Sequence, residues 1–147
     1  MHNNSVVDIR RRGTFSLEEA KAIIPLLRKV TENYVSDVEN KMARLDSISS
    51  QNTNLILLLE EQINCEIHKW HSKVRKLGGE PKGLWMVNLD AGNGYFSWKY
   101  PERELKFWHS YQQTFHDRIP LSDMPHREWA VCNKPSSLPE NVVVNPL

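Results

Sequence analysis

Two histidines in the last third of the chain, His109 and His116, have side chains suited to metal binding or acid-base chemistry. They stand seven residues apart in the stretch KFWHSYQQTFHDRIPL, residues 106–121. Seven residues turn an α-helix through about 700°, so both imidazole rings would leave nearly the same side of one helix. Glu102 lies seven residues before His109, on that same side. The spacing predicts a polar strip that can bind a divalent metal, because imidazole and carboxylate are suitable ligands.

Arg118 adds a positive charge just after this stretch. Its guanidinium can bind a carboxylate or a phosphate through two parallel hydrogen bonds, or it can pair with Glu102 or Glu104. Side chains seven residues apart stand about 10 Å apart along a helix, so both histidines reach one ion only with help from another element. The ligand-binding candidates are therefore Glu102, Glu104, His109 and Arg118. His109, His116 and Glu102 are the candidate metal ligands, and the alternative is that both histidines are structural.

A second group of possible ligands, Cys65, His68 and His71, advances in steps of three residues. Each step rotates the side chain by about 60° around a helix, so all three cannot converge from one helix. Two of them can supply part of a site that another element completes. Because acidic, basic and amide side chains share this region, the interpretation that we favour is a solvated polar face.

Two long amphipathic helices are predicted to support these residues. The first begins after Ser16, an N-cap whose capping box is completed by Glu19, and its apolar residues continue to Leu45 at spacings of three, four or seven. Pro25 lacks the N–H for one helical hydrogen bond, which predicts a kink. After the polar loop SISSQNTN, a second apolar period follows and stops at Gly78. The two helices are expected to pack as an antiparallel hairpin.

The next segment has the pattern of strands. Residues 84–89 and 95–100 are rich in aromatic and apolar side chains and are separated by a glycine-containing turn, which predicts a β-hairpin. Two strands alone are marginal in water, so the hairpin must dock on the helices or pair with further strands, from this chain or from a second subunit. Pro101 suits the first position of a helix, and the apolar arc around Trp108 predicts a third, shorter helix that carries His109.

The predicted fold class is therefore α+β: a long antiparallel helical hairpin with a docked β-hairpin and a shorter third helix. The chain has 147 residues, of which 39% are hydrophobic, enough for one core. We expect an N-terminal leader at residues 1–13, a single domain at 14–121 and an extended C-terminal tail at 122–147. The tail is rich in proline and has no helical period.

Charge and hydropathy limit the classes of partner. The net charge is +1, from 19 basic and 18 acidic side chains, so the chain has no large positive field to attract nucleic acid. The longest apolar run, residues 55–59, is far shorter than the roughly 20 residues of a membrane helix. Cys65 and Cys132 lie in different contexts, which predicts reduced thiols. We expect a cytoplasmic protein that binds neither membranes nor nucleic acid.

Four stretches of the chain resemble a known family: FSLEEAKAIIPLL, GLWMVNLD, PERELKFWH and FHDRIPL. They are similar to an uncharacterised bacterial family of domains of unknown function. That family carries F-[ST]-L-x-E-A and P-L-L, then a G-L-V-D-F strand, a C-W strand, E-x-E-x-x-Y-W-H and R-x-P-L. The likeness covers about residues 14–121 and implies a shared domain.

The resemblance marks some candidates and not others. It includes Glu102, Glu104, His109 and Arg118, whereas His116 has no counterpart in the family motif. The chain departs from the pattern at residues 87–88, where Val-Asn replaces Asp-Phe, and at position 97, where serine replaces a cysteine. A function that used that acid or that thiol is not implied for this chain.

We predict a non-enzymatic cytoplasmic interaction or small-ligand-binding module. A long helical hairpin with one apolar stripe leaves surface that a copy can cover, so we expect a homodimer, and a small anion or a protein as a further partner. The alternative is a metal- or anion-dependent enzyme centred on Glu102, His109 and Arg118. The two functions differ in one structural expectation: the enzyme requires these three side chains to converge in a concave pocket.

Overall fold

The computed structural model describes residues 13–125 of the chain. Two long helices, α1 (Leu17–Ser47) and α2 (Thr53–Lys76), precede a five-stranded antiparallel sheet in the order β1-β2-β3-β4-β5. The strands β1 to β5 are Glu80–Pro81, Met86–Asp90, Tyr95–Lys99, Phe107–His109 and Ile119–Pro120. The α+β class and the helical hairpin are confirmed. Most of the predicted leader and tail, with Cys132, lie outside the described residues.

The first helix begins where its capping signal predicts. Ser16 Oγ accepts a hydrogen bond from the Glu19 backbone N–H at 3.0 Å, and the Glu19 carboxylate accepts one from the Ser16 N–H at 2.8 Å. This reciprocal pair satisfies two N–H groups that have no partner inside the helix. The helix then continues through Pro25 to Ser47, so the proline removes one hydrogen bond without ending the helix. No helix in the described part of the chain combines the length and apolar character needed to cross a membrane.

The core lies between the two helices and one face of the sheet, the inner face. Its strand residues are Val87, Leu89, Phe96, Trp98 and Trp108. Trp70 of α2 is fully buried at the centre, with its ring edge-on to Trp85 at 5.1 Å between centroids. The Trp70 indole N–H donates to Thr31 Oγ1 of α1 at 2.9 Å. Because this bond satisfies the one polar atom of the indole, the ring is buried without an unpaired donor.

The predicted third helix is wrong. Residues 101–121 instead form β4, a 3-10 turn at Phe115–Asp117, and β5. Trp108 pairs with Phe96 of β3 on one side and with Ile119 of β5 on the other. Aromatic residues pack well on a pleated surface, and a β-hairpin with no further strand is marginal, so strand pairing prevails over the helical period. The predicted hairpin is confirmed as β2 and β3, and its additional strands come from the same chain.

Candidate functional site on the outer face of the sheet

Side chains alternate along strands, so the positions between the core residues form a second, outer face that points away from the helices. This outer face carries Asn88 and Asp90 from β2, Tyr95 and Ser97 from β3, and His109 from β4. Asn88, Ser97 and His109 are nevertheless buried, with exposed fractions of 7%, 1% and 2%. Buried polar groups need hydrogen-bond partners, because leaving one unpaired costs free energy. The partners of these side chains therefore define what the outer face can do.

Residues 110–118, which we call the cover segment, return across this face and are fastened to it at one end by an ion pair. Arg118 Nη2 lies 2.8 Å from Glu102 Oε2, and Nη1 lies 3.3 Å from Oε1. The guanidinium is held between the rings of Phe107 and Phe115, at 4.1 and 3.9 Å from their centroids. Glu102 Oε1 also accepts the Lys99 backbone N–H at 3.0 Å. Arg118 and Glu102 thus neutralise each other, and the pair ties the cover segment to the turn between β3 and β4.

Tyr111 fastens the other end of the cover segment. Its hydroxyl donates to Asp90 Oδ1 at 2.6 Å, and its ring lies edge-on to Tyr95, with 5.1 Å between centroids. Burial raises the pKa of Tyr111 well above its ordinary value, and the hydrogen bond to Asp90 raises it further. Tyr111 is therefore a protonated donor throughout the neutral range, and the cover segment is held from both ends.

The imidazole of His109 is fixed by one nitrogen and unpaired at the other. Nδ1 lies 2.8 Å from the carbonyl oxygen of Ser110. Because a carbonyl oxygen only accepts, Nδ1 carries a proton, and in the neutral form of an imidazole with that tautomer Nε2 is an acceptor. Nε2 is buried and has no hydrogen-bond partner among residues 13–125. The ring packs beside Tyr95, with 5.7 Å between centroids.

The hydroxyl of Ser97 is a second buried polar atom without a partner. The β3–β4 ladder pairs Tyr95 with His109 and Ser97 with Phe107, so Ser97 and His109 are diagonal neighbours on the outer face. Diagonal neighbours across two strands stand roughly 7–8 Å apart, which one small molecule can bridge. Since Ser97 Oγ has no hydrogen bond to the imidazole, the hydroxyl is not activated as a nucleophile in this arrangement.

The candidate metal ligands predicted from a helical wheel are separated in the fold. His109 is buried in β4, whereas His116 is exposed in the 3-10 turn, with its ring edge-on to Phe115. Glu102 binds Arg118, and Glu104 is exposed without a hydrogen bond to any of the other candidates. Within residues 13–125, no three His, Cys, Asp or Glu side chains are grouped to hold a metal ion. The predicted strip depended on a helical rotation that a strand does not have.

The second group of possible ligands remains on α2. Cys65 and His68 are exposed, and the ring of His68 lies edge-on to that of half-buried His71 at 6.2 Å. Burial lowers the pKa of His71, the neighbouring Arg75 and His68 side chains lower it further, and the Glu80 carboxylate raises it. The exposure of Cys65 and His68 agrees with a solvated polar face.

Four residues of the outer face were not predicted as site residues from the sequence: Asn88, Asp90, Tyr95 and Ser97. Tyr95 and Ser97 belong to a polar alternation that suggests a solvent-facing strand surface. Their burial depends on the cover segment, which the sequence analysis assigned to a helix. The one signal for Ser97 and His109 was the resemblance described under Sequence analysis, which implies a cysteine at position 97 and includes His109.

Comparison with known proteins identifies a family. No curated protein and no solved structure matches the chain significantly. A family model with the description "Uncharacterized conserved protein (DUF2203)" matches residues 13–121, a range that contains both helices, all five strands and the whole outer-face site. The resemblance inferred from the four sequence stretches is thereby confirmed. The chain belongs to the DUF2203 family of uncharacterized conserved proteins.

Proposed function

We propose that the protein is a non-enzymatic module that binds a small polar ligand on the outer face of its sheet. The observation that carries the proposal is the pair of buried, unpartnered atoms, His109 Nε2 and Ser97 Oγ, on neighbouring strands. An unpaired buried polar atom costs about 1–3 kcal/mol, and a ligand that hydrogen-bonds to both atoms removes that cost. The site is preorganised because Tyr111 and Arg118 hold the cover segment at its two ends.

The alternative is a metal- or anion-dependent enzyme centred on Glu102, His109 and Arg118, and it has less support. Arg118 is bound by Glu102 through both guanidinium nitrogens that face it, and two phenyl rings cover its planar faces. An anion would have to displace the Glu102 carboxylate, which costs the charge-assisted bonds of that pair. A ligand that binds His109 Nε2 and Ser97 Oγ does not have to break a hydrogen bond of either atom.

His109→Gln tests the proposed ligand site. The flexible glutamine amide lacks the Nδ1 hydrogen bond and the ring packing that fix Nε2 in place, so we expect the variant to fold and to bind at least tenfold more weakly. Calorimetric titration with a panel of small alcohols, amines, phosphate and zinc gives the affinities, and thermal unfolding monitors the fold.

His116→Gln is the matched control, because His116 is exposed in the cover segment and contributes no unpaired buried atom. It should bind as the wild type does. A wild type that binds no member of the panel, or a His109→Gln variant with wild-type affinity, would contradict the ligand site.

We also propose that the loop end of the helical hairpin joins two copies of the chain. Leu57 and Leu58, near the start of α2, are 61% and 49% exposed, whereas the adjacent Leu59 is buried. The apolar run at residues 55–59 therefore covers more of the helix circumference than α1 can bury. In a twofold dimer the same patch meets itself, and an apolar patch is complementary to its own copy.

Light scattering at tens of micromolar tests this dimer. We expect twice the mass of one chain for the wild type and the mass of one chain for the variant that combines Leu57→Glu and Leu58→Glu, because buried carboxylates would face each other across the interface. Leu26→Glu is the control, since Leu26 is also an exposed leucine but lies near the opposite end of the hairpin. A monomeric wild type, or a dimer that survives the double substitution, would rule out this interface.

A further inference from the structure

We infer that the ligand of the outer-face site is an organic cation, a primary ammonium group on a short alkyl chain. This inference rests on the proposed ligand-binding function and adds the chemical class of the ligand. It is carried by two independent features of the outer face: buried acceptors without donors, and negative charge beside an aromatic ring.

The buried acceptors are His109 Nε2 and Ser97 Oγ, which lie on adjacent strands and have no partner. An ammonium group has three N–H donors and no acceptor, so it can donate to both atoms at once and keep one donor for a carboxylate or water. A neutral alcohol can also satisfy both atoms, because its O–H can donate to Nε2 while its oxygen accepts from the Ser97 hydroxyl. The hydrogen bonds therefore admit either group, and the charge around them selects the amine.

The negative charge lies around Tyr95. Asp90 is the direct neighbour of Tyr95 in the β2–β3 ladder, and Glu80 of β1 is the neighbour of Asn88 in the next ladder. Burial raises the pKa of the Tyr95 phenol, and the Asp90 and Glu80 carboxylates raise it further. In the part of the chain that the structure describes, neither carboxylate belongs to an ion pair. A cation beside the ring would gain from both charges.

Positive side chains on the same face are engaged elsewhere. Arg118 is paired with Glu102, and the ammonium of Lys99 lies 5.7 Å from the centroid of the Phe115 ring. Among residues 13–125, an anionic ligand on this face would therefore meet the Asp90 carboxylate with no neighbouring cation that lacks a partner. The charges of the outer face select against anions and favour the ammonium ligand.

The aromatic rings provide a surface for the alkyl chain. Tyr95 lies between His109 and Tyr111, with centroid distances of 5.7 and 5.1 Å. Tyr111 is partly exposed and Tyr95 is half-buried, so the site meets solvent beside these two rings. A short alkyl chain packed on the rings would direct its ammonium group toward His109 Nε2 and Ser97 Oγ.

Calorimetric titration of the full chain with probes of equal size tests the class of ligand. The probes are butylamine, 1,4-diaminobutane, 1-butanol and butyrate. We expect both amines to bind, 1-butanol to bind at least tenfold more weakly than butylamine, and butyrate to give no heat. Higher salt should weaken the binding of the amines, because the attraction to the carboxylates is screened.

Asp90→Asn separates charge from hydrogen bonding. The asparagine carbonyl can still accept from the Tyr111 hydroxyl and the Gly92 N–H, which both bind Asp90 Oδ1 in the wild type. We expect amine affinity to fall five- to tenfold with little change in the thermal midpoint. Glu104→Gln removes the same charge from an exposed position without a contact to the site, and it should bind amines as the wild type does.

The outcomes distinguish this inference from the proposed function. The inference that the ligand is an organic cation is wrong if 1-butanol binds as tightly as butylamine, if butyrate binds best, or if Asp90→Asn keeps full amine affinity. None of these three results contradicts the proposed ligand site. If Asp90→Asn and Glu104→Gln weaken binding equally, the amines bind through overall charge and the inference is overturned. If none of the four probes binds, the inference is overturned, and the wider panel that includes phosphate and zinc decides separately whether the proposed ligand site stands.

Discussion

Trp108→Ala should lower the free energy of unfolding by about 3–5 kcal/mol, the usual cost of truncating a buried tryptophan. The indole is buried on the inner face of β4, where its residue pairs with Phe96 and Ile119. Its N–H donates to Asn93 Oδ1 at 3.2 Å, which connects β4 to the turn between β2 and β3. The substitution therefore opens a cavity in the core and removes the tie to that turn. Because small domains are stable by only about 5–15 kcal/mol, the variant should be close to unfolded.

Urea denaturation followed by circular dichroism measures this loss. Trp108→Phe is the comparison variant, because it keeps an aromatic ring in the core but removes the bond to Asn93 and part of the indole volume, so its cost should be smaller than that of Trp108→Ala. A loss below about 1 kcal/mol for Trp108→Ala would show that this face of β4 is not packed in the core.

Gly94→Ala should destabilise the fold by about 3 kcal/mol or more, the upper end of the range for overpacking. A Cβ atom at Gly94 would lie 2.5 Å from the backbone oxygen of His109 and 2.5 Å from Cζ2 of Trp108. The oxygen belongs to β4 and the ring to the core, so relief requires a shift of the strand itself. The same shift would move His109, so ligand binding should be lost together with stability.

Gly92→Ala in the same turn is the control. Gly92 has a positive φ of 89°, but a Cβ atom there would meet nothing within 4 Å. Its cost is the backbone strain alone, about 1 kcal/mol. Equal, small losses of stability for the two glycine variants would show that β4 does not approach the turn as closely as the structure has it.

The parts of the fold that the sequence predicted are those whose signals are local. The capping box of Ser16 and Glu19 acts between residues three apart, and the apolar periods of α1 and α2 repeat every three or four residues. The turn between β2 and β3 follows from its glycines. Each of these signals acts between residues close together in the chain, and no distant pairing overrides it here, so the helical hairpin and the β-hairpin could be derived from the sequence.

Trp108 shows what local sequence signals can and cannot predict. Its burial was predicted correctly and its secondary structure was wrong, because a large apolar side chain is buried in whichever element carries it. Whether residues 107–109 form a helix or a strand depends on a partner 12 residues away along the chain, at Phe96. Pairing with β3 offers hydrogen bonds and aromatic packing that a helical period within the segment does not reveal.

The candidate site shows the same division. Residue types made His109 and Arg118 candidates and left open whether Arg118 pairs with Glu102, with Glu104 or with a ligand. The choice of Glu102, the burial of Ser97 and the free Nε2 of His109 all arise when the cover segment crosses the outer face. These are contacts between residues distant in the chain. Tyr111 and Arg118, at the two ends of the cover segment, bind Asp90 and Glu102, and only the assembled sheet places those two acids beneath the segment.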